Sequence, residues 1–450
     1  MGGRRETASL SWLVAPASLA LAALLAATAP AARANVVTVR AEQRGHHPAR
    51  YRSPASGTIQ HVVFILQENR SFNNLFLGFK GAKTRGFGYD STGAKIKLTP
   101  MTLAATCDID HSANAFFAAY QSGKNNGWNY ESQNCAKDYP YRYVYRWQVQ
   151  TYWNMAKQYV LADHMFQSHL DGSFISHQYA IAAYANHEVN FPSSSWGCEG
   201  GPSDVVPTLT QNRTYGSNVP VCEDYQTLGD LLDGAGVSWR FYSPSLQSWN
   251  LWSSYSAINH IYQNGSGPDW LNNVISPETQ VLTDIGNGKL AGMTWVVPSW
   301  QNSDHAGSGS LSGPDWVASI VDAIGNSQFW NSTAIFIAWD DWGGWYDPVL
   351  PVYEDYDGLG YRIPLLVISP YAKAGSVTHT QYEMSSILRF TEDLFGTGQL
   401  AASDARAADP ANDPTVFDFS QSPRPFSSFA HKRLPAQTLG PVHYNKEYGD

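Results

Sequence analysis

The first strong hydrophobic pattern along the chain is His61-Val62-Val63-Phe64-Ile65-Leu66, an apolar run closed by the polar Gln67-Glu68-Asn69. Unbroken apolarity with β-branched residues, and no alternation, predicts a strand buried on both faces, as in a parallel sheet. Thr333–Trp339 repeats the pattern and is closed by Asp340-Asp341, while Gly236–Tyr242, Gly292–Pro298 and Ile363–Ser369 are further strand candidates. Between them, Tyr, Val, Trp and Met recur at helical spacing over residues 141–160. Leu228–Ala235, Trp316–Ile324 and Met384–Phe395 also read as helices, and Ser173 stands just before another that runs through Tyr179–Tyr184. Strands alternating with helices predict an α/β fold, with a mostly parallel central sheet covered by helices on both faces. Residues 35–58 read as an irregular arm and 191–225, rich in Ser, Pro, Gly and Asn, as a loop-rich insertion. The Pro-containing stretch after residue 405 reads as an irregular tail, so the expected organisation is one catalytic domain over 35–450.

The N-terminus changes the picture of where this domain works. Arg4 and Arg5 precede an Ala- and Leu-rich run through Leu25, and Ala32-Arg33-Ala34 supplies small residues for signal peptidase. That three-part pattern predicts a cleaved export signal over 1–34 and a secreted or periplasmic protein. Pro16 and Pro30 interrupt the run and no stop-transfer pattern follows, which favours cleavage over a membrane anchor. The paired arginines leave the twin-arginine route open. The four cysteines, Cys107, Cys135, Cys198 and Cys222, form no Cys-x-x-Cys, against a zinc knuckle or thioredoxin-type site. In an oxidising compartment they allow three connectivities, and Cys107–Cys135 with Cys198–Cys222 is favoured because each bridge closes a modest polar segment.

Net charge is −9 with only 15% charged residues, so no basic surface points to nucleic acid. Sixteen Trp and 25 Tyr suit a stiff core, a sugar-binding face or a cage for a quaternary ammonium ion, and composition does not choose among them.

Polar clusters follow three of the predicted strands: Gln67–Phe72, Trp339–Gly344 and Asp304-His305. Open α/β sheets bind ligands outside the carboxyl ends of their strands, and all three clusters belong to that edge. Adjacent carboxylates at a buried strand end repel unless a cation neutralises them. Glu68, Asp340, Asp341 and the amide oxygen of Asn69 therefore make an oxygen-rich metal shell, against the plainer reading of a helix cap or solvated turn. Oxygen ligands favour calcium or manganese and leave zinc and iron open. Ser173 is either a helix N-cap or a nucleophile whose helix start offers N–H groups to a phosphate. His111 and His305 are candidates for proton transfer or phosphate contact.

Taken in order, these segments resemble a known family. His61–Phe72 is similar to the opening signature of the bacterial phosphoesterase family that contains phospholipases C and acid phosphatases. Cys107–His111 resembles its early Asp-His segment, Asn125-Asn126-Gly127-Trp128 the glycine turn that follows, and Asp163–Ala182 its nucleophile region. Asp304-His305, Asp340–Tyr346 and Arg362–Tyr371 fall where its later motifs fall. The resemblance implies an alkaline phosphatase/sulfatase-like fold, with Glu68, Asn69, Asp340 and Asp341 as metal ligands and Ser173 as nucleophile. It further implies His111 and His305 on the phosphate, Asn126 and Asp304 as substrate contacts, and a phosphoryl-enzyme intermediate. Departures are Asn73 for the usual Asp, Asp347-Pro348 for Asp-His, and Glu383-Met384 for a second Asp-His. The nucleophile segment also carries Asp171-Gly172 for Gly-Pro and Ser176-His177 for Pro-Asn. They leave the metal and nucleophile types intact and bear on substrate class.

The expected function is a metal-dependent phosphoric ester hydrolase of phospholipase C type, acting on a phosphoester that includes phospholipid headgroups, with transient membrane-surface contact. An acid phosphatase acting on monoesters is the alternative. An inactive secreted protein that binds carbohydrate or lipid is the rival from another class. Sulfate ester hydrolysis ranks last because Cys-x-Pro-x-Arg is absent.

Overall fold

The computed structural model describes residues 51–132, 135–244 and 252–431. The expected export signal, most of the 35–58 arm and the last part of the tail lie outside these residues.

The apolar runs form one eight-stranded sheet. In chain order its strands are β1 (His61–Gln67), β2 (Val160–Ala162), β3 (Trp239–Tyr242), β4 (Val274–Ile275), β5 (Met293–Val296), β6 (Thr333–Trp339), β7 (Leu365–Ile368) and β8 (Ser376–Thr378). Their order across the sheet is β4-β3-β5-β1-β6-β7-β2-β8. The first five of these pair in parallel, with β1 between β5 and β6. β7 runs antiparallel to both β6 and β2, and β2 pairs in parallel with β8. The reversal at β7 follows from its connection: a parallel return needs a crossover that spans the sheet, and residues 340–364 contain no helix to make one.

Every residue of β6 is buried, as expected for a strand covered on both faces. The covering helices fall into two packed groups. One contains α1 (Gln150–Gln158) and α4 (Gly313–Gly325); the other contains α2 (Ser173–Ala182), α3 (Leu228–Gly234) and α5 (Ser385–Phe395). Thr227 starts α3 with a capping box, its side chain accepting from Asp230 N while the Asp230 carboxylate accepts from Thr227 N.

The expected helix over 141–160 is only half present. Arg142–Val144 pairs as a short strand with Thr99–Met101, and Tyr145 N donates to Met101 O, so those backbone groups are spent across strands before α1 begins. The 191–225 excursion carries an antiparallel hairpin, Val205–Leu209 with Tyr215–Pro220. Disulfides join Cys107 to Cys135 and Cys198 to Cys222, the pairings favoured from the sequence. After residue 412 the described tail has no helix or strand, yet Phe417 and Phe429 are buried in the core. Among the described residues no helix is long and apolar enough to cross a membrane.

Candidate active site

Register places the acidic residues together. Gln67 at the end of β1 stands opposite Trp339 at the end of β6, and Asp340 N donates to Gln67 O at 2.8 Å. The residues that follow, Glu68-Asn69 and Asp340-Asp341, therefore emerge side by side from adjacent parallel strands. Asn69 holds a positive φ of 51°, a left-handed conformation that asparagine tolerates better than most residues, and its N–H reaches Asp340 Oδ1 at 2.7 Å. The turn after β6 needs glycine at Gly343 (φ 61°), because a Cβ there would lie 2.2 Å from Asn69 O. Gly343 N in turn donates to Asp341 Oδ1 at 2.6 Å.

Helix α2 brings the hydroxyl. Gly172 is its N-cap and makes no side-chain cap bond, so Ser173 is the first helical residue and not the cap. Ser173 Oγ donates to Asp341 Oδ2 at 3.1 Å. One turn further on, His177 Nε2 lies 3.0 Å from Glu68 Oε1.

Two more histidines close the cluster. His111 Nδ1 donates to Ile109 O at 2.8 Å and His305 Nδ1 donates to Ala306 O, so both rings turn Nε2 inward. The Asn69 amide is satisfied with its nitrogen toward Glu68 Oε2 (2.9 Å) and Asp340 Oδ1 (3.2 Å). Its oxygen then faces His111 Nε2 (2.8 Å), His305 Nε2 (3.2 Å) and Ser173 Oγ (3.2 Å). The reverse orientation, with the nitrogen donating to His111 Nε2 and Ser173 Oγ, turns the oxygen toward the carboxylates and suits a cation between them. Glu68, Asn69, His111, Ser173, His177, His305, Asp340 and Asp341 are all fully buried.

The donor set fits a metal. Asp340 Oδ2 is buried with no hydrogen-bond partner among the described residues, and an unpaired carboxylate oxygen in that setting is costly. Glu68, His177 and Asp340 each offer a ligand atom within 4.8 Å of the others. A cation there would answer both the unpaired oxygen and the like charges.

The structure thus brings together Glu68, Asn69, His111, Ser173, His305, Asp340 and Asp341. Among the described residues, the side chains of Asp304 and Asn126 make no hydrogen bond to this cluster. Asp304 Oδ2 accepts from Tyr152 Oη (2.8 Å) and Trp339 Nε1 (3.0 Å), and Asp304 O accepts from Arg70 Nε (2.8 Å). Asp304 is therefore a strut that fixes the loop carrying His305. In the glycine turn, Asn125 makes the structural bonds, to Asp347 O, Trp128 Nε1 and Tyr361 Oη, while Asn126 Oδ1 is buried with no partner among the described residues. At the Asp347-Pro348 departure, Asp347 forms a buried bidentate pair with Arg362 (2.8 and 3.1 Å). His177 escaped the sequence reading, although its spacing of four from Ser173 on a predicted helix was the available signal.

Burial pushes the Asp304 carboxyl up to about 6, against the opposing pull of Arg70, Tyr152 and Trp339. A carboxyl with a raised native pKa weakens the fold where it must ionise, and the penalty vanishes as pH falls through about 6 toward its unfolded value. The stability of the wild type minus that of Asp304→Asn should therefore drop by about 3 kcal/mol between pH 3.5 and pH 7.5. Urea unfolding of both proteins across that range checks it; a difference independent of pH would mean that Asp304 is not buried as described.

The protein-family model described as "Phosphoesterase family" matches residues 59–398. Phospholipase C B of Mycobacterium tuberculosis is 24% identical over 446 residues, covering 84% of this chain and 81% of that protein. Hemolytic phospholipase C of Pseudomonas aeruginosa is 25% identical over 429 residues, covering 80% of this chain and 56% of that protein. Among solved structures, a protein of the alkaline phosphatase superfamily from Vibrio parahaemolyticus aligns at a TM-score of 0.38 and 11% identity, over 78% of this chain and 71% of that one.

Proposed function

The chain belongs to the Phosphoesterase family and is a phosphoric ester hydrolase, and on that premise we propose that it is a secreted, metal-dependent enzyme of phospholipase C type with Ser173 as nucleophile. The observation that carries this reading is the position of Ser173: a fully buried hydroxyl on the first residue of a helix, 3.1 Å from Asp341 Oδ2 and beside the Glu68–Asp340 carboxylates. A structural serine has no need of such neighbours.

The residues divide the chemistry as follows. Glu68, Asp340 and Asp341, with the Asn69 amide, would hold the cation. A bound divalent cation supplies Lewis-acid stabilisation of the phosphoryl oxygens and lowers the pKa of the nearby hydroxyl. Ser173 Oγ attacks phosphorus while its proton passes to Asp341 Oδ2, and the ester oxygen departs. The first-turn N–H groups of α2 face the incoming phosphate, where the helix start favours negative charge. His111 and His305, anchored through Nδ1, direct Nε2 to the same space; protonated there, one of them delivers a proton to the leaving oxygen. The histidine left neutral by that transfer takes a proton from the water that attacks the phosphoryl-enzyme, and Asp341 returns its proton to Ser173 Oγ as the P–O bond breaks.

Phospholipase C chemistry is favoured over simple phosphatase chemistry by the aromatic rings around the cluster. Trp252 and Trp300 lie 6.1 and 4.6 Å from the His305 ring, and Trp196 lies 6.2 Å from that of His177. Such a wall suits a quaternary ammonium headgroup, which Trp faces attract. Two disulfides fit an extracellular protein, and the export signal read at 1–34 supports secretion.

Purified protein is expected to cleave p-nitrophenyl phosphorylcholine in a chelator-sensitive manner. Cleavage of p-nitrophenyl phosphate alone would turn the reading to an acid phosphatase. Cleavage of neither, across acidic to alkaline pH with divalent metals restored, would turn it to a binding protein.

A further inference from the structure

We propose that His177 is itself a metal ligand, and that this imidazole sets the metal preference toward zinc and similar borderline transition ions over calcium. The inference rests on the metal-dependent reading above and adds to it a ligand and a metal class.

Four lines of geometry meet at this residue. Ser173 and His177 are four apart on α2, so both side chains leave the same face and the helix that presents the hydroxyl also presents the imidazole. His177 Nε2 is 3.0 Å from Glu68 Oε1, and Asp340 completes a group of three buried donors within 4.8 Å of one another. Among the described residues Asp340 Oδ2 has no hydrogen-bond partner, so a hydrogen bond from His177 to Glu68 alone leaves that oxygen unanswered, whereas one cation answers all three groups. The ring is also held in place: Trp252 stacks on it at 6.4 Å with planes 10° apart, and Trp196 meets it edge-on at 6.2 Å.

Charge gives the reason for a histidine here. Glu68, Asp340 and Asp341 already bring three carboxylates to one buried site. A neutral imidazole adds a donor without adding a fourth negative charge. Mixed nitrogen and oxygen donors suit zinc, iron or nickel, while calcium prefers oxygen alone.

The test uses metal-stripped wild type and His177→Asn, with Zn2+, Ca2+ and Mn2+ as probes. Pulsed electron paramagnetic resonance of the Mn2+-loaded wild type is expected to show coupling to a directly bound nitrogen, lost in His177→Asn. Zn2+ affinity should fall roughly ten- to a hundredfold in the variant, and Ca2+ affinity should change by less than about threefold. Bound Mn2+ without nitrogen coupling, or a coupling unchanged in the variant, overturns the inference and leaves metal-dependent hydrolysis standing. Failure of the wild type to bind any of the three ions overturns both. Should the variant not fold, the wild-type spectrum decides alone.

Discussion

Ser173→Ala is expected to lower kcat on p-nitrophenyl phosphorylcholine by at least about 10⁴-fold, with the fold intact. The substitution removes one oxygen from a fully buried site and nothing else. The helix keeps its start, since the N-cap is Gly172 and contributes no side-chain bond that Ser173 could inherit. Stability should change by no more than about 1–2 kcal/mol, the net worth of the bonds to Asp341 and Asn69. The account assigns Ser173 the covalent bond to phosphorus, so its loss leaves only water held by the remaining groups. Circular dichroism and turnover measured side by side separate the two effects. A loss of only tenfold would make Ser173 a positioning residue and move the nucleophile elsewhere.

Asp340→Asn should be nearly as severe, with a loss on the order of 10³-fold in kcat/KM and a matching loss of bound metal. Asp340 links the strand ends: Oδ1 accepts from Asn69 N at 2.7 Å, while Oδ2 is buried with no partner among the described residues. Replacing it with an amide keeps the volume and removes the charge that a cation needs. Chelation of the wild type should reproduce the defect, and restoring a divalent ion should rescue the wild type but not the variant. Rescue of both to the same level would show that Asp340 is not a ligand.

Much of this was legible in the sequence because the site hangs on its most legible elements. β1 and β6 are unbroken apolar runs, and register alone then sets Glu68-Asn69 against Asp340-Asp341. Where reading failed, a local pattern had two physical solutions. Residues 141–145 carry aromatic spacing compatible with a helix, but pairing with Thr99–Met101 claims their backbone first. Asp304 sits beside His305 in sequence, yet loop geometry turns its carboxylate to Tyr152 and Trp339. His177 looked like a departure inside a nucleophile motif, and only the packing of α2 against the end of β1 gives it Glu68 as a neighbour. The direction of β7 was equally hidden, since an apolar run does not record whether its connection crosses the sheet.

The most direct test of the central claim is to trap the covalent intermediate. Wild type mixed with p-nitrophenyl phosphorylcholine, quenched in acid and digested, is analysed by peptide mass spectrometry. A phosphoester adduct is expected on the peptide carrying Ser173, absent after chelation and absent from Ser173→Ala. Steady turnover with no adduct on that peptide, or an adduct on another side chain, would contradict it.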